Sequence, residues 1–495
     1  MSAGARQSRY DAIIIGSGPN GLAAAITLAR EGCSVLVIEG HAQPGGGART
    51  AELTLPGFYH DVCSAIHPMG AASPFMRSLP LDKFGLEWIH PETLVAHPLD
   101  GGRAAVMKRS LAETAALLGV DGPAWSRLMG THVREAEALW PMLLGPVTRI
   151  PRHPLAMTSF GLKAMRSGAG LARGKFRTEE ARALLAGNAA HSVVPLEFPF
   201  SAAIAMALGV AGHSTGWPVA RGGTGMLTQA LCRYLEALGG EIICGWTVKA
   251  LAELPASEAV LFDTGPRALA EIAGAALPGG FTRRLQSYRY GPAAFKLDMA
   301  LSGPIPWTHA GCHTAGTVHV GGNLEEIGAS ERAAWKGKTC ARPFVLVAQQ
   351  SICDPTRAPA GRHTAWAYCH VPAGSTEDAS EAILSQIERF APGFRDTIMA
   401  THRLSPAGFA EYNPNNVNGD VVGGAMDPGQ LFTRPLVKWN PYTTPNRRLY
   451  LCSSSTPPGG GVHGMCGWHA ARTALRKSFG RNCAARGTDF PPPHR

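Results

Sequence analysis

The feature that most constrains this chain is a glycine loop, Gly16-Ser17-Gly18-Pro19-Asn20-Gly21, set between an apolar run and a helical pattern. Asp11 to Ile15 reads as a short buried parallel strand ending at Gly16. Asn20 to Arg30 carries Leu22, Ala25, Ile26 and Ala29 at helical spacing, and Gly32 stops it. Ser34 to Glu39 is a second strand, and its acid falls 18 residues past Gly21. Strand, G-x-G-x-x-G turn, helix and acid-ended strand together make the β-α-β unit that binds a dinucleotide. In such a unit Gly16 makes the tight turn, Gly18 admits a pyrophosphate to the backbone, and Gly21 lets helix and strand pack closely. Ser17, Pro19 and Asn20 lead into the helix, whose first N–H groups face the anion. Glu39 accepts ribose hydroxyls. The expected fold class is α/β, with a Rossmann-like domain at its start.

A second loop, Gly45-Gly46-Gly47-Ala48-Arg49-Thr50, follows Glu39 closely. So near the ribose acid, it folds back under the pyrophosphate. Gly46 and Gly47 give close approach, and Arg49 either neutralises phosphate or faces an isoalloxazine. A simple NAD dehydrogenase has no need of this loop, whereas a large buried FAD does. FAD is therefore the expected cofactor. No second G-x-G-x-x-G marks a dedicated nicotinamide domain.

Further along, residues 70 to 220 are mostly helical in pattern, with helical periodicity over Ser110–Leu118 and Ala124–Leu144. Pro151 to Gly174 is basic and weakly patterned. A second nucleotide-fold-like block starts near Arg221. It has a helix over Gly225–Leu238, a strand over Glu241–Cys244, another over Thr247–Leu251, and Ala259–Phe262 leading into Asp263-Thr264-Gly265-Pro266. From 293 to 375 the chain reads as β, with strands at Phe295–Leu301, Phe344–Gln350 and Thr364–His370. Ser375 to Asp378 resembles a capping box before an amphipathic helix carrying Ile383, Leu384, Ile387 and Phe390. Arg448–Cys452 is a last strand and Val462–Phe479 a last helix. The division expected is a discontinuous FAD-binding domain (1–70, 215–292 and 430–480), a substrate domain of mixed β-sheet and helices (71–214 and 293–429), and a disordered tail over 481–495.

GSGPNG, Glu39, PGGGART and the LPGFYHD that follows resemble the FAD-dependent amine-oxidase-type superfamily, and within it the phytoene desaturase-like branch. The resemblance runs over most of the chain. Arg221-Gly222-Gly223-Thr224-Gly225-Met226, its helix and Val248 resemble the family's second FAD segment, which implies that the Val248 backbone holds adenine. Asn446 to Ala470 resembles the C-terminal flavin segment. Arg342 to Pro372 resembles uncharacterised oxidoreductases of the branch more than carotenoid desaturases.

At the flavin end, Pro457 to Gly461 precedes the last helix, with Gly460, Gly461 and Val462 close to a planar ring. A helix N-terminus there stabilises the negative charge of a reduced flavin. His463, in the first turn expected for that helix, can donate to flavin or substrate or simply pack. His463, Cys466 and His469 lack the further ligands a metal needs, so no metal is expected. Cys466 has no second cysteine nearby for a redox pair. The resemblance sets His60 and His67 beneath the substrate side of the flavin, where a histidine can act as base or be a buried hydrogen-bonded side chain. Met157, Met165, Phe198, Phe200 and Met206 either line an apolar tunnel or belong to the core.

The chain carries 46 basic and 36 acidic residues, but the basic ones are dispersed, and no basic arm interleaved with aromatics is present. Nucleic-acid binding is not expected. Eleven cysteines with no C-x-x-C pair argue against a disulfide framework or zinc ribbon. No signal peptide is visible, so the default compartment is the cytoplasm. The longest uncharged apolar stretch, Phe198 to Gly212, is too short to span a bilayer but could lie on a membrane surface, aided by Lys163, Arg166, Arg173 and Lys175. Nothing in the pattern sets an oligomeric state. The expected activity is a dehydrogenase, desaturase or oxidase that takes hydride from a C–H or C–N bond of an apolar small molecule. A flavin-dependent isomerase without net oxidation and a non-catalytic flavin-binding regulatory protein are the alternatives.

Overall fold

The computed structural model describes residues 6–146 and 151–481. From residue 482 on, the expected tail lies outside the described residues. A five-stranded parallel sheet runs in the order Leu449–Leu451, Ala256–Phe262, Arg9–Ile15, Val35–Ile38, Glu241–Ile243. Ala12 to Ile15 and Val35 to Ile38 are apolar and buried on both faces, as strands covered on two sides require. Ile15 pairs with both Ile38 and Phe262, so three strands end level around Gly16. The helix Pro19–Arg30 opens with proline at its first position, and the chain turns at Gly32 with φ +76°. The central strand Arg9–Ile15 connects onward to one side and is joined on the other by Ala256–Phe262. That is the crevice where parallel sheets bind ligands.

A seven-stranded sheet runs Ile398–Leu404, Ala293–Leu301, His363–Val371, Val345–Ala348, Ala315–Val320, Thr93–Leu99, Arg103–Met107. Its pairs are antiparallel except for Ala315–Val320 with Thr93–Leu99. A small hairpin, Thr50–Glu52 with Tyr59–Asp61, follows the second glycine loop and packs against the strand His363–Val371 of the mixed sheet.

Five expectations are corrected. Ala124–Leu144 is two helices, Gly122–Arg134 and Ala136–Leu143, broken at Glu135. The strand expected over Thr247–Leu251 is irregular through residue 250 and leads into a single 3-10 turn at Leu251–Glu253, because Lys249 N–H turns back to the Glu253 carboxylate. The helix expected after Ser375–Asp378 begins at Ser380, and its first N–H is held by the Asp378 carboxylate at 2.8 Å, not by a Ser375 capping box, whose hydroxyl accepts Glu377 N–H instead. The last helix is Met465–Lys477, so His463 precedes it. The Phe198–Gly212 run enters the helix Ser201–Ser214, which packs against Gly122–Arg134, Pro154–Ala164 and Glu179–Ala190 and is core, not a surface. Every described cysteine is a free thiol. Among the described residues no helix is long and apolar enough to cross a membrane.

Candidate functional site

One cavity of about 930 Å³ runs from the C-terminal edge of the parallel sheet to the face of the mixed sheet. That is at the upper end of the range for small-molecule sites.

At its first end lie Gly16 to Asn20, Glu39, Gly46, Gly47 and Arg49. Gly16 has φ +99°, and a Cβ there would stand 2.8 Å from the Asp263 carbonyl oxygen. A Cβ on Gly21 would enter the van der Waals shell of the Gly16 carbonyl oxygen. Glu39 ties the loop together: its Oε2 accepts from Ser17 N–H at 2.9 Å and Ser17 Oγ at 2.5 Å, and Oε1 from His41 N–H at 2.9 Å. Arg49 Nη2 reaches Glu39 at the longer distance of 3.4 Å, and its guanidinium lies 5.4 Å from the Tyr412 ring. The second loop does fold back on the first. Gly45 N–H donates to Ser17 O, and a Cβ on Gly46 would stand 3.1 Å from Gly18 Cα.

Several polar groups here are unused. The backbone N–H groups of Gly46, Gly47, Gly461 and Val462 find no partner among the described residues, nor do the N–H and C=O of Val248. Asn20 Oδ1 is buried without a hydrogen bond. Asn20 and Val248 are buried, where polar groups are almost always paired, and the other open donors line the same cavity, so the set fits a ligand with phosphate oxygens and heteroaromatic edges. Asp263 was not singled out from the sequence. It caps the glycine-loop helix by accepting Gly21 N–H at 2.8 Å, and burial, with Glu39 nearby, pushes its carboxyl well up. Its signal was an acid placed directly after the buried strand Ala256–Phe262.

The other end is lined by Lys296, Trp366, Tyr368, His370, His191 and Trp217. Trp366, Tyr368 and His370 share one face of the strand His363–Val371 by simple alternation. Lys296 is 2% exposed, donates to Asp61 O at 3.0 Å and Asp298 Oδ1 at 2.5 Å, and lies 5.8 Å from the Trp366 ring. A lysine and an aspartate two apart in an apolar strand were the signal that could have found this group.

Of the three histidines singled out, only His67 lines the cavity. Its Nε2 meets Thr224 Oγ1 at 2.9 Å, and that hydroxyl donates its one proton to Ser64 O at 2.6 Å. His67 therefore carries its proton on Nε2 and leaves Nδ1 bare and unpaired. Burial pushes its pKa down to about 4. His60 is buried behind the wall, with Nε2 2.8 Å from Thr54 Oγ1. His463 is not in the wall either: its Nδ1 accepts Met465 N–H at 3.0 Å and caps the last helix. Cys466 points at the Thr456 and Gly459 carbonyls, and burial raises its thiol to about 11, so it stays protonated. Met157, Met165, Phe198, Phe200 and Met206 are absent from the wall. Among the described residues no group of three or more His, Cys, Asp or Glu is placed to hold a metal.

Residues 14–79 match the NAD(P)-binding Rossmann-like domain family. The chain is 26% identical to pyridine nucleotide-disulfide oxidoreductase domain-containing protein 2 of Mus musculus, over 96% of this chain and 94% of the relative. An oxidoreductase from Methanosarcina mazei superimposes with TM-score 0.62 at 16% identity, over 94% of this chain and all of the other. A putrescine oxidase bound to putrescine does so with TM-score 0.60 at 17% identity, over 96% and 99%. At these identities the two solved structures share the fold: a Rossmann-like domain joined to a mixed sheet.

Proposed function

We propose that this chain is an FAD-dependent oxidoreductase that takes hydride from a C–H or C–N bond of a largely apolar small molecule. One observation carries the reading. A single cavity joins a dinucleotide loop with unused backbone donors to a chamber walled by aromatic rings, a lysine and histidines. In this reading Gly16, Ser17, Gly18, Pro19, Asn20 and Gly21 hold the pyrophosphate with Gly46, Gly47 and Arg49, Glu39 holds the ribose, and Val248 the adenine. Gly460, Gly461 and Val462 hold the isoalloxazine. Bound there, the flavin supplies a two-electron acceptor. The chain's own part is to bury the reacting bond, to orient it against Trp366 and Tyr368, and to hold Lys296 Nζ in place by the Asp61 carbonyl and the Asp298 carboxylate. The motifs PGGGART and LPGFYHD favour the phytoene desaturase-like branch.

The visible absorption spectrum of the purified protein tests this. Flavin bands that shift on denaturation, with the released compound running as FAD, are expected. A colourless protein that FAD cannot reconstitute overturns it.

Peripheral contact with an anionic membrane belongs to the same reading. Leu155, Val437 and Trp439 are 86%, 71% and 82% exposed. Their two segments meet where Phe200 bonds Met165 O and packs its ring 4.7 Å from Phe432. Lys163, Arg166, Arg173 and Lys175 follow Leu155 in the chain, the last three exposed. Cosedimentation with anionic vesicles at low salt, lost with neutral vesicles, is expected; no cosedimentation with either overturns it.

A further inference from the structure

A buried carboxylate–imidazole pair at the chamber's wall is not used by the reading above. His370 Nδ1 and Glu331 Oε2 stand 2.8 Å apart, and the residues are 4% and 1% exposed. His370 lines the cavity two residues beyond Tyr368, their rings 5.6 Å apart. Glu331 comes from the helix Leu324–Trp335, which packs against that strand.

The state of the pair follows from its burial. Among the described residues His370 is the only ion-pair partner of Glu331, and Glu331 Oε1 is buried without a hydrogen bond. An ionised Glu331 beside a neutral His370 would bury an uncompensated charge, which is strongly unfavourable. The 2.8 Å approach of Nδ1 to Oε2 places one shared proton between them. A proton on Oε1 would have nothing to bond. Whether the shared proton sits on nitrogen or oxygen, the imidazole's other proton must be on Nε2. His370 Nε2 is then an N–H donor, and it is buried with no acceptor among the described residues. A buried donor without an acceptor is a rare and unfavourable arrangement.

We propose that the Glu331–His370 pair is a substrate-binding site for an acceptor oxygen, a carbonyl, ether or carboxylate on an otherwise apolar molecule. His370 donates from Nε2, and Glu331 is the positioning residue that fixes the ring and its protons. The same geometry rejects an ammonium head, because donor would face donor. The proposal deepens the oxidoreductase reading and rests on it only for what occupies the cavity's other end.

The test is calorimetric titration of the purified protein with two probes of one ring size, cyclohexanone and cyclohexylamine. The wild type should bind cyclohexanone about tenfold more tightly, and His370→Leu, which keeps bulk but removes the donor, should erase that preference. Equal affinities in the wild type, or a preference unchanged in His370→Leu, overturn the proposal. If His370→Leu does not fold, nitrogen-15 histidine spectra of the wild type decide: a protonated Nε2 that shifts with cyclohexanone supports the site, and a bare or unmoved Nε2 overturns it. Flavin content is read separately by absorption. A colourless protein that still prefers cyclohexanone sinks the cofactor reading alone, and a yellow protein without the preference sinks this proposal alone.

Discussion

Arg357 Nη2 lies 2.6 Å from Asp61 Oδ2, and both side chains are fully buried. The pair joins the 3-10 turn Pro355–Arg357 to the hairpin that follows the second glycine loop. Asp61 also accepts from Thr224 N–H and Thr50 Oγ1. Burial alone would raise the Asp61 carboxyl, but Arg357 and these hydrogen bonds outweigh it and hold the carboxyl below its ordinary range. Breaking such a pair from one side leaves a buried charge. Arg357→Met should cost about 3–5 kcal/mol in urea unfolding, and pairing it with Asp61→Asn should recover part of that loss.

The glycine loop offers a sharper separation of binding from folding. A Cβ on Gly18 would stand 2.6 Å from Asp263 Oδ2, a side-chain atom, whereas one on Gly21 would collide with the Gly16 backbone. Gly18→Ala displaces the Asp263 oxygen that caps Gly21 N–H but no backbone, so it should lose less stability than Gly21→Ala yet at least about tenfold in FAD affinity, since the added methyl occupies the anion's approach. Gly21→Ala should lose both cofactor and thermal stability. Fluorescence titration with FAD beside a melting curve distinguishes the two.

Much of this end of the molecule was legible in the sequence because its chemistry is local. Gly16, Gly21 and Glu39 sit at fixed spacing around one strand-turn-helix, and Gly46 contacts Gly18 where proximity to Glu39 suggested. The other end was not legible. Lys296, Trp366 and His370 are brought together by pairing of strands far apart in the chain, and each alone looks like an ordinary strand residue. His463 shows the complementary limit. Its position beside a glycine run suggested a ligand contact, but the helix begins at Met465, and the imidazole is used to cap it.

The buried histidines make acid stability predictable. Burial pushes His60, His67, His97 and His463 each to about 4 from an ordinary 6.5. Between those values the unfolded chain binds protons that the folded chain refuses, so stability is full above about pH 6.5 and falls as pH drops toward 4. Asp61, depressed when folded, extends the loss to lower pH. Burial depresses His132, His191 and His319 as well, so urea midpoints measured from pH 7 to pH 4 should decline steadily, with more than four protons taken up on unfolding. A flat profile would mean these imidazoles are solvated.

Lys296 sets the protonation of a residue on its far side. Asp298 receives Lys296 at 2.5 Å, while His60 Nδ1 stands 3.8 Å away and His402 Nδ1 3.3 Å away. His60 is held low first by burial and then by the charges of Lys296 and Arg357, against the pull of Asp298. Replacing Lys296 with Met removes one opposing charge and leaves Asp298 without its nearest cation. The His60 pKa must then rise, because an imidazolium becomes the counter-ion that Lys296 supplied. Histidine proton titration of wild type and Lys296→Met should show that upward shift for His60 and little change for His463, which lies outside this network. The variant should also slow any flavin bleaching by substrate, since the chamber loses a buried ammonium. An unshifted His60 would show that Lys296 acts on the chamber without reaching through it.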